Sequence, residues 1–196
     1  MKRMIVSGAG AAVAVLFAAA LAVAHITPPV VLVSDRDAVA SLLAGSRRFF
    51  VREIRLSPEQ RQLIQKQSGW NPDENFYRFY IGRDDQGRMV AASIFLTEFT
   101  LHGPVRVAVG IGPEGKIRGA TVVELTEETY PWVKPLLDQN FTRDFVGQGS
   151  TGTYTLTGER LRAGGDMSHF YGEVIATLIK RAAVLFDAAV AGQGAA

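Results

Sequence analysis

The chain has 196 residues, a net charge of +2 and no cysteine. Without cysteine it can form no disulfide, no thiolate metal site and no cysteine-ligated iron–sulfur cluster. Its 21 basic and 19 acidic residues are intermixed along the sequence. They form no basic stripe of the kind that indicates binding to nucleic acid.

The first predicted element is an uncharged apolar segment. Lys2 and Arg3 precede a run from Met4 to Ala24 that is rich in alanine and valine, which has about the length of 20 residues that crosses the hydrocarbon layer as a helix. Positive charges before this run predict that the rest of the chain faces the periplasmic side of the plasma membrane. The run ends in Ala-Val-Ala, which fits a cleavage site, so residues 1–27 are predicted to be a transmembrane anchor or a signal peptide.

Two helices and a strand are predicted before the sheet. Ser34 is a candidate N-cap for a helix over residues 35–44, which Gly45 would end. Aromatic and β-branched residues predict a strand over 49–54. The sequence Ser-Pro-Glu-Gln that starts at Ser57 is a capping box with proline at the first helical position, and it predicts a helix that runs to about residue 67.

Two consecutive β-hairpins are predicted in the middle of the chain. Residues 76–81 and 89–95 flank an Asp-Asp-Gln-Gly turn, and residues 105–109 and 117–125 flank a Gly-Pro-Glu-Gly turn. Successive hairpins of this kind predict a mainly antiparallel sheet.

Helical segments are predicted after the sheet. Pro131 and Pro135 interrupt the next stretch, where we expect a short helix at 133–138 and a helical turn at 141–145, followed by a loop or weak strand at 148–157. Apolar residues at helical spacing predict a long helix over 171–190 with one face on the sheet. The predicted fold class is α+β: a mainly antiparallel sheet packed by helices, with a C-terminal amphipathic helix and an N-terminal membrane segment.

Three segments carry a resemblance to a known family: LSPEQRQLIQKQSG at 56–69, HGPVRVAVGIGPEGKIRGATVVEL at 102–125, and NFTRDFVGQ at 140–148. Together they resemble the FMN-binding domain family, which includes the flavin-bearing periplasmic subunits of the Rnf and sodium-translocating NADH:quinone oxidoreductase complexes. The resemblance implies an FMN-binding-like domain over residues 28–192, before a tail at 193–196. It also implies an electron-transfer protein or accessory subunit whose partner is a membrane redox system such as a cytochrome or quinone-linked complex.

The resemblance further implies where FMN binds. Family members with covalent flavin carry an Asp and, a few residues later, Ser/Thr-Gly-Ala-Thr, whose last Thr bears FMN at the start of a helix. Counting back without gaps from the C-terminal helix places Ser168 at that acceptor position and Arg162 at the position of the motif Asp. A second register, with fewer residues in the preceding loop, places Asp166 at the acceptor position. Because Asp166 and Met167 replace the small Gly and Ala of the motif, we expect FMN to be held noncovalently.

Several features of the chain suit such a site. Glycines let the backbone approach a phosphate, and the start of a helix offers free N–H groups to it. An arginine just before the helix neutralises the phosphate, and aromatic residues in the 126–132 loop can stack on the isoalloxazine ring. The residues that the resemblance places around FMN are Ser168, Gly164, Gly165, Arg162, Thr129, Tyr130, Trp132 and Phe145.

Two other functions remain open at this point. In the first, the pocket that holds flavin in the family is filled by side chains of this chain, namely Asp166, Met167 and the aromatic residues of the 126–132 loop. The protein would then be a flavin-free scaffold or interaction subunit on the same fold. His102 and His169 can ligate a metal or an unattached haem if they meet across the pocket. The chain contains no GxSxG, HExxH or Walker A sequence, and the family resemblance implies an electron carrier rather than a stand-alone catalyst.

Overall fold

A six-stranded sheet forms the centre of the computed structural model, which describes residues 27–156, 158 and 165–190. The strands are β1 (Pro29–Val31), β2 (Arg48–Ile54), β3 (Tyr77–Arg83), β4 (Met89–Thr100), β5 (Gly103–Ile111) and β6 (Ile117–Thr126). Their spatial order is β1-β6-β5-β4-β3-β2, and every neighbouring pair is antiparallel. The chain therefore runs as a meander from β2 to β6, and β1 closes the opposite edge.

Both predicted hairpins are confirmed, because β3 pairs with β4 and β5 pairs with β6. The structure adds a third hairpin between them. Strand β4 continues past the predicted end at residue 95 as far as Thr100, and β5 starts at Gly103. Only Leu101 and His102 connect the two strands, and Thr100 pairs with Gly103. Residues 91–94 of β4 are all buried, and only from Leu96 onward does a buried residue alternate with more exposed neighbours, as on a strand with one buried face.

In the described part of the chain, four α-helices and one 3₁₀ helix pack on the sheet. They are α1 (Asp35–Leu42), α2 (Pro58–Ser68), α3 (Tyr130–Asp138), the 3₁₀ helix (Phe141–Phe145) and α4 (Gly165–Ala189). The predicted N-caps of the first two helices are confirmed. The Ser34 hydroxyl accepts a hydrogen bond from the backbone N–H of Asp37, and Ser57 and Gln60 form both hydrogen bonds of the capping box. Gly69 ends α2 in the left-handed conformation, with φ of 71°.

The sheet separates two layers of helices. Helix α1 covers one face, where Ala38 and Leu42 pack against Ala108 of β5 and Val123 of β6. Helices α2, α3 and α4 lie on the other face and form the larger core with the sheet. Helix α4 is the centre of this layer, and most of its apolar residues are buried. These layers confirm the α+β fold class and the C-terminal helix on the sheet.

Two helices start earlier than predicted. Helix α3 begins at Tyr130 and includes both prolines that were expected to interrupt it. Pro131 is tolerated because it lies in the first turn, where its missing N–H has no intrahelical partner. Helix α4 begins at Gly165 rather than near residue 171, and Asp166 lies in its first turn. A carboxylate there is stabilised by the positive end of the helix dipole.

Some predicted features lie outside the described residues. These are residues 1–26 of the predicted anchor or signal peptide, the predicted phosphate ligands Gly164 and Arg162, and the predicted tail at 193–196. Among the helices that are described, none is both long and apolar enough to cross a membrane.

Candidate functional site

One end of the sheet brings together most of the predicted site residues that the structure describes. Strand β4 ends there at Thr100, β5 starts there, and β6 ends there at Thr126. The Thr126 hydroxyl donates to the backbone carbonyl of His102 at 2.8 Å. The Thr100 hydroxyl and the Tyr171 hydroxyl of α4 are 3.1 Å apart. The hairpin between β4 and β5 is thereby joined to both β6 and the start of α4.

Trp132 occupies the middle of this site. Its indole ring stacks on the phenol ring of Tyr171, with the centroids 5.7 Å apart and the planes inclined by 16°. The imidazole of His102 meets the same indole edge-on, with the centroids 5.0 Å apart. Aromatic pairs prefer these offset-stacked and T-shaped arrangements. The indole is therefore held by protein rings on one face and at one edge, and we call the three residues Trp132, Tyr171 and His102 the aromatic cluster.

Ser168 is buried beside the aromatic cluster, with only 2% of its surface exposed. It lies in the first turn of α4, and its hydroxyl donates to the backbone carbonyl of Trp132. Gly165, at the first position of α4, has φ of 78°, a conformation that glycine adopts without strain. The backbone turns there into the helix, and the Ser168 hydroxyl is directed to α3.

Thr129 joins the loop before α3 to the end of β6. It is buried, and its hydroxyl accepts a hydrogen bond from the backbone N–H of Thr126 at 3.1 Å. The hydroxyls of the two threonines are also 3.1 Å apart. Thr129 is the N-cap residue of α3 but makes no side-chain cap hydrogen bond. Its hydroxyl instead fixes the turn that positions Trp132.

His102 and Glu128 form a pair that the sequence did not reveal. His102 Nδ1 lies 2.7 Å from Glu128 Oε1, and each side chain is about one-third exposed. The two residues are 26 positions apart in the chain, and only the pairing of β5 with β6 brings them together. No local sequence pattern points to such a contact.

Burial raises the pKa of Tyr171 from its ordinary value, and the nearby Glu128 carboxylate adds to this effect. The hydrogen bond with Thr100 acts in the opposite direction. The phenol therefore stays protonated at neutral pH and can donate to Thr100. The polar groups of the site thus pair with one another across β4, β6, α3 and α4.

Two of the predicted flavin contacts lie elsewhere. Tyr130 lines a separate cleft of about 290 Å³ beside Lys134 and the 3₁₀ helix. Phe145 is buried in the main core, where its ring stacks on Tyr154 with the centroids 5.5 Å apart. The structure therefore brings together Ser168, Thr129 and Trp132, but it places neither Tyr130 nor Phe145 with them.

A groove of about 790 Å³ lies next to the aromatic cluster, between the β4–β5 hairpin and α4. Most of its lining is apolar. Arg181 at one end forms an ion pair with Glu98, and its guanidinium lies over the ring of Trp70 at 5.1 Å from the centroid. We define the groove by five of its lining residues, which are His102, Met167, Phe170, Val174 and Arg181.

The described residues do not fit FMN in the predicted position. The Ser168 hydroxyl, at the flavin acceptor position, is buried and already donates to Trp132. The Asp166 carboxylate lies in the first turn of α4, where it opposes a second negative charge such as a phosphate. One face of the indole that was expected to stack on the flavin is covered by Tyr171. No phosphate ester on Ser168 can form without dismantling these contacts.

Metal ligation was the other open possibility. Within the part of the chain that the structure describes, no group of three or more His, Asp or Glu side chains could hold a metal ion. His102 is paired with Glu128, and His169 is exposed on α4. The two histidines therefore carry no argument for a metal or haem site.

The chain was also compared with known proteins. No family model matches it, and a search of the curated proteins finds no match. The resemblance to the FMN-binding domain family therefore stays a prediction from the sequence segments named above.

Proposed function

We propose that the protein is a flavin-free interaction subunit of a membrane redox system, tethered by its N-terminus on the periplasmic side of the plasma membrane. The observation that carries this proposal is the packing of Trp132. Its ring is stacked on Tyr171, and its backbone carbonyl accepts from Ser168. Both contacts occupy the position where the family resemblance places the flavin.

Opening this position for a flavin would be unfavourable. Moving the Trp132 ring away from Tyr171 to make room would lose a contact of about 1 kcal/mol beyond the burial of the rings. Ser168 would lose its hydrogen bond while remaining buried, which costs about 1–3 kcal/mol. Asp166 would then face the phosphate at the helix start. The site is better suited to rigidify the hairpin and α4 than to hold a nucleotide.

The groove is the surface that such a subunit would offer to a partner protein. Phe170 is 50% exposed at its edge. Exposed apolar patches next to polar residues are typical of protein–protein contacts. Partners anchor to them through apolar side chains that fill a pocket. The proposed partner is a membrane-bound redox protein, such as a cytochrome or a quinone-linked complex.

One spectrum tests the absence of flavin. The full chain, purified from membranes without added cofactor, should show no absorbance bands at roughly 370 and 450 nm, the usual flavin bands. Titration with FMN should leave the fluorescence of free FMN unquenched. Stoichiometric yellow colour in the purified protein would contradict the proposal.

A matched pair of variants tests the groove. Phe170 and Phe50 are equally exposed, at 50% and 49%, but Phe50 lies on β2 away from the groove. Phe170→Ser should abolish co-purification of the membrane redox partner, and Phe50→Ser should retain it. Equal retention of the partner by both variants would show that the groove is not the contact surface.

The groove also favours a second candidate, an electron carrier that binds FMN noncovalently there. A volume of about 790 Å³ lies within the usual range of small-molecule sites, about 300–1,000 Å³. Apolar walls would contact the ring, while His102 and Arg181 would offer polar contacts. In this case the flavin would supply the redox chemistry and the protein its position. Flavin bands that leave the polypeptide on denaturation, and are lost in Phe170→Ser but not Phe50→Ser, would favour this candidate.

A further inference from the structure

The β4–β5 hairpin presents two large apolar side chains to solvent at its tip. Phe99 is 80% exposed and Leu101 is fully exposed. They are separated by one residue. They lie where β4 projects beyond β3, because the last residue pair between these two strands at this end is Phe79 with Ile94. Single exposed apolar residues are common on protein surfaces, but a bulky pair at one projecting turn is characteristic of an interaction site.

The N-terminus of the described chain enters the fold beside this tip. Pro29 pairs with Thr126 at the end of β6, and the carbonyl of Pro28 accepts from the backbone N–H of Glu127 at 2.9 Å. The Thr126 hydroxyl in turn donates to the carbonyl of His102 in the hairpin connection. A single residue, Thr126, therefore contacts both the entry of the chain and the hairpin tip.

The chain between the apolar segment and this entry point is short. Only three residues separate Ala24, the last residue of the uncharged run, from Pro28. Four Cα–Cα steps span at most about 14 Å. Thr27 and Pro28 each precede a proline, which favours an extended backbone at both residues. If the apolar run crosses the membrane, the end of the sheet that carries Phe99 and Leu101 faces the outer leaflet at close range.

We propose that Phe99 and Leu101 insert into the interface of the outer leaflet, at the boundary of headgroups and acyl chains. This inference rests on the membrane tether in the proposed function, but not on the absence of flavin. Aromatic and aliphatic side chains favour this zone. The acidic side chains at this end of the sheet include Glu98, which is paired with Arg181, and Glu128, which is paired with His102 of the tip. Insertion is therefore driven by apolar contact, and raised salt should change it little.

The absence of cysteine allows a direct test. A single cysteine is introduced at Leu101 or, as the control, at Gln86 in the exposed β3–β4 turn. The two sites flank β4, a 12-residue strand, so they are about 36 Å apart. The full chain, labelled with an environment-sensitive fluorophore, is reconstituted into vesicles of phosphatidylethanolamine and phosphatidylglycerol with and without brominated acyl chains.

Bromine should quench the label at Leu101→Cys several-fold more than the label at Gln86→Cys, at low and at high salt. Equal, weak quenching at both sites would overturn the inference. A Leu101 label that is shielded from aqueous iodide but not quenched by bromine would also overturn it, because a protein partner would then cover the tip. Leu101 is fully exposed, so its replacement does not disturb the core. The absorbance spectrum of the same sample tests the flavin-free state separately, so failure of one proposal is distinguishable from failure of the other.

Discussion

Tyr171 of α4 stacks on Trp132 of α3, with the ring planes inclined by 16°. This contact joins two helices that are otherwise held by the main core, and it places the hydroxyl of Tyr171 beside Thr100 of β4. We predict that Trp132→Ala lowers the free energy of unfolding by about 3 kcal/mol, because it removes a large ring from a packed cluster. Urea unfolding of the purified protein measures the change.

Lys134→Ala, on the exposed side of the same helix, is the control for the Trp132 variant. Lys134 forms an exposed ion pair with Asp138 at 2.7 Å, and such pairs contribute about 0.5 kcal/mol or less. A urea midpoint for Trp132→Ala as high as that of Lys134→Ala would show that the stack does not hold α3 and α4 together.

Ser168 provides a second test of the same cluster. Ser168→Ala removes the hydrogen bond to the Trp132 carbonyl and should lower the free energy of unfolding by about 1 kcal/mol. The neighbouring variant His169→Ala changes an exposed side chain on the same turn and should leave stability unchanged. If Ser168 were a flavin attachment site, Ser168→Ala would instead remove a bound chromophore, which mass spectrometry of the intact chain would detect.

Gly103 fixes the geometry of the hairpin tip. Its φ is 100°, and a Cβ there would lie 2.5 Å from Cγ2 of Thr126. Gly103→Ala should therefore lower the free energy of unfolding by about 2–4 kcal/mol, through backbone strain and steric overlap together. Gly87 separates backbone strain from steric overlap. Its φ is 79°, but a Cβ added there would have no atom within 4 Å. Gly87→Ala should lower stability by about 1–2 kcal/mol, and an equal effect of both substitutions would argue against the overlap.

The buried phenol of Tyr77 predicts a loss of stability in alkali. Burial raises the pKa of Tyr77 from 10 to about 12. Between these values the unfolded chain has lost the phenolic proton while the folded chain still holds it, so a rise in pH favours unfolding. Tyr77→Phe should therefore lose less stability than the unaltered chain as the pH rises from about 9 to about 11. Parallel stability curves for the two proteins over this range would contradict the prediction.

The sequence predicted those parts of the fold that depend on local chemistry. The capping box at Ser57 and the Gly-Pro-Glu-Gly turn each fix a structure within a few residues, and both were confirmed. The predicted starts of α3 and α4 were wrong because no local sequence signal marks where these helices begin. Pro131 is read as a helix breaker unless its place in the first turn is known, and the helix start at Gly165 shows no apolar periodicity.

The site was predicted less well because its contacts join distant parts of the chain. The sequence identified Trp132 and Ser168 as neighbours through the family resemblance, but not the hydrogen bond between them. Tyr171 was read only as the first residue of a helix, although it supplies the ring that holds Trp132. The pairing of His102 with Glu128 depends on strand register, which sequence periodicity does not fix across a hairpin.

Strand β2 is seven residues long and lies at the edge of the sheet. Phe49, Phe50 and Val51 at its centre are all about half exposed, and an apolar edge strand is a template for pairing with a second molecule. Arg48 and Arg52 flank this apolar centre, and charged side chains are a common device against such pairing. In concentrated samples, repulsion between these arginines should therefore keep the β2 edges of two molecules apart. Replacing either arginine with a neutral residue should promote fibre-like association through β2.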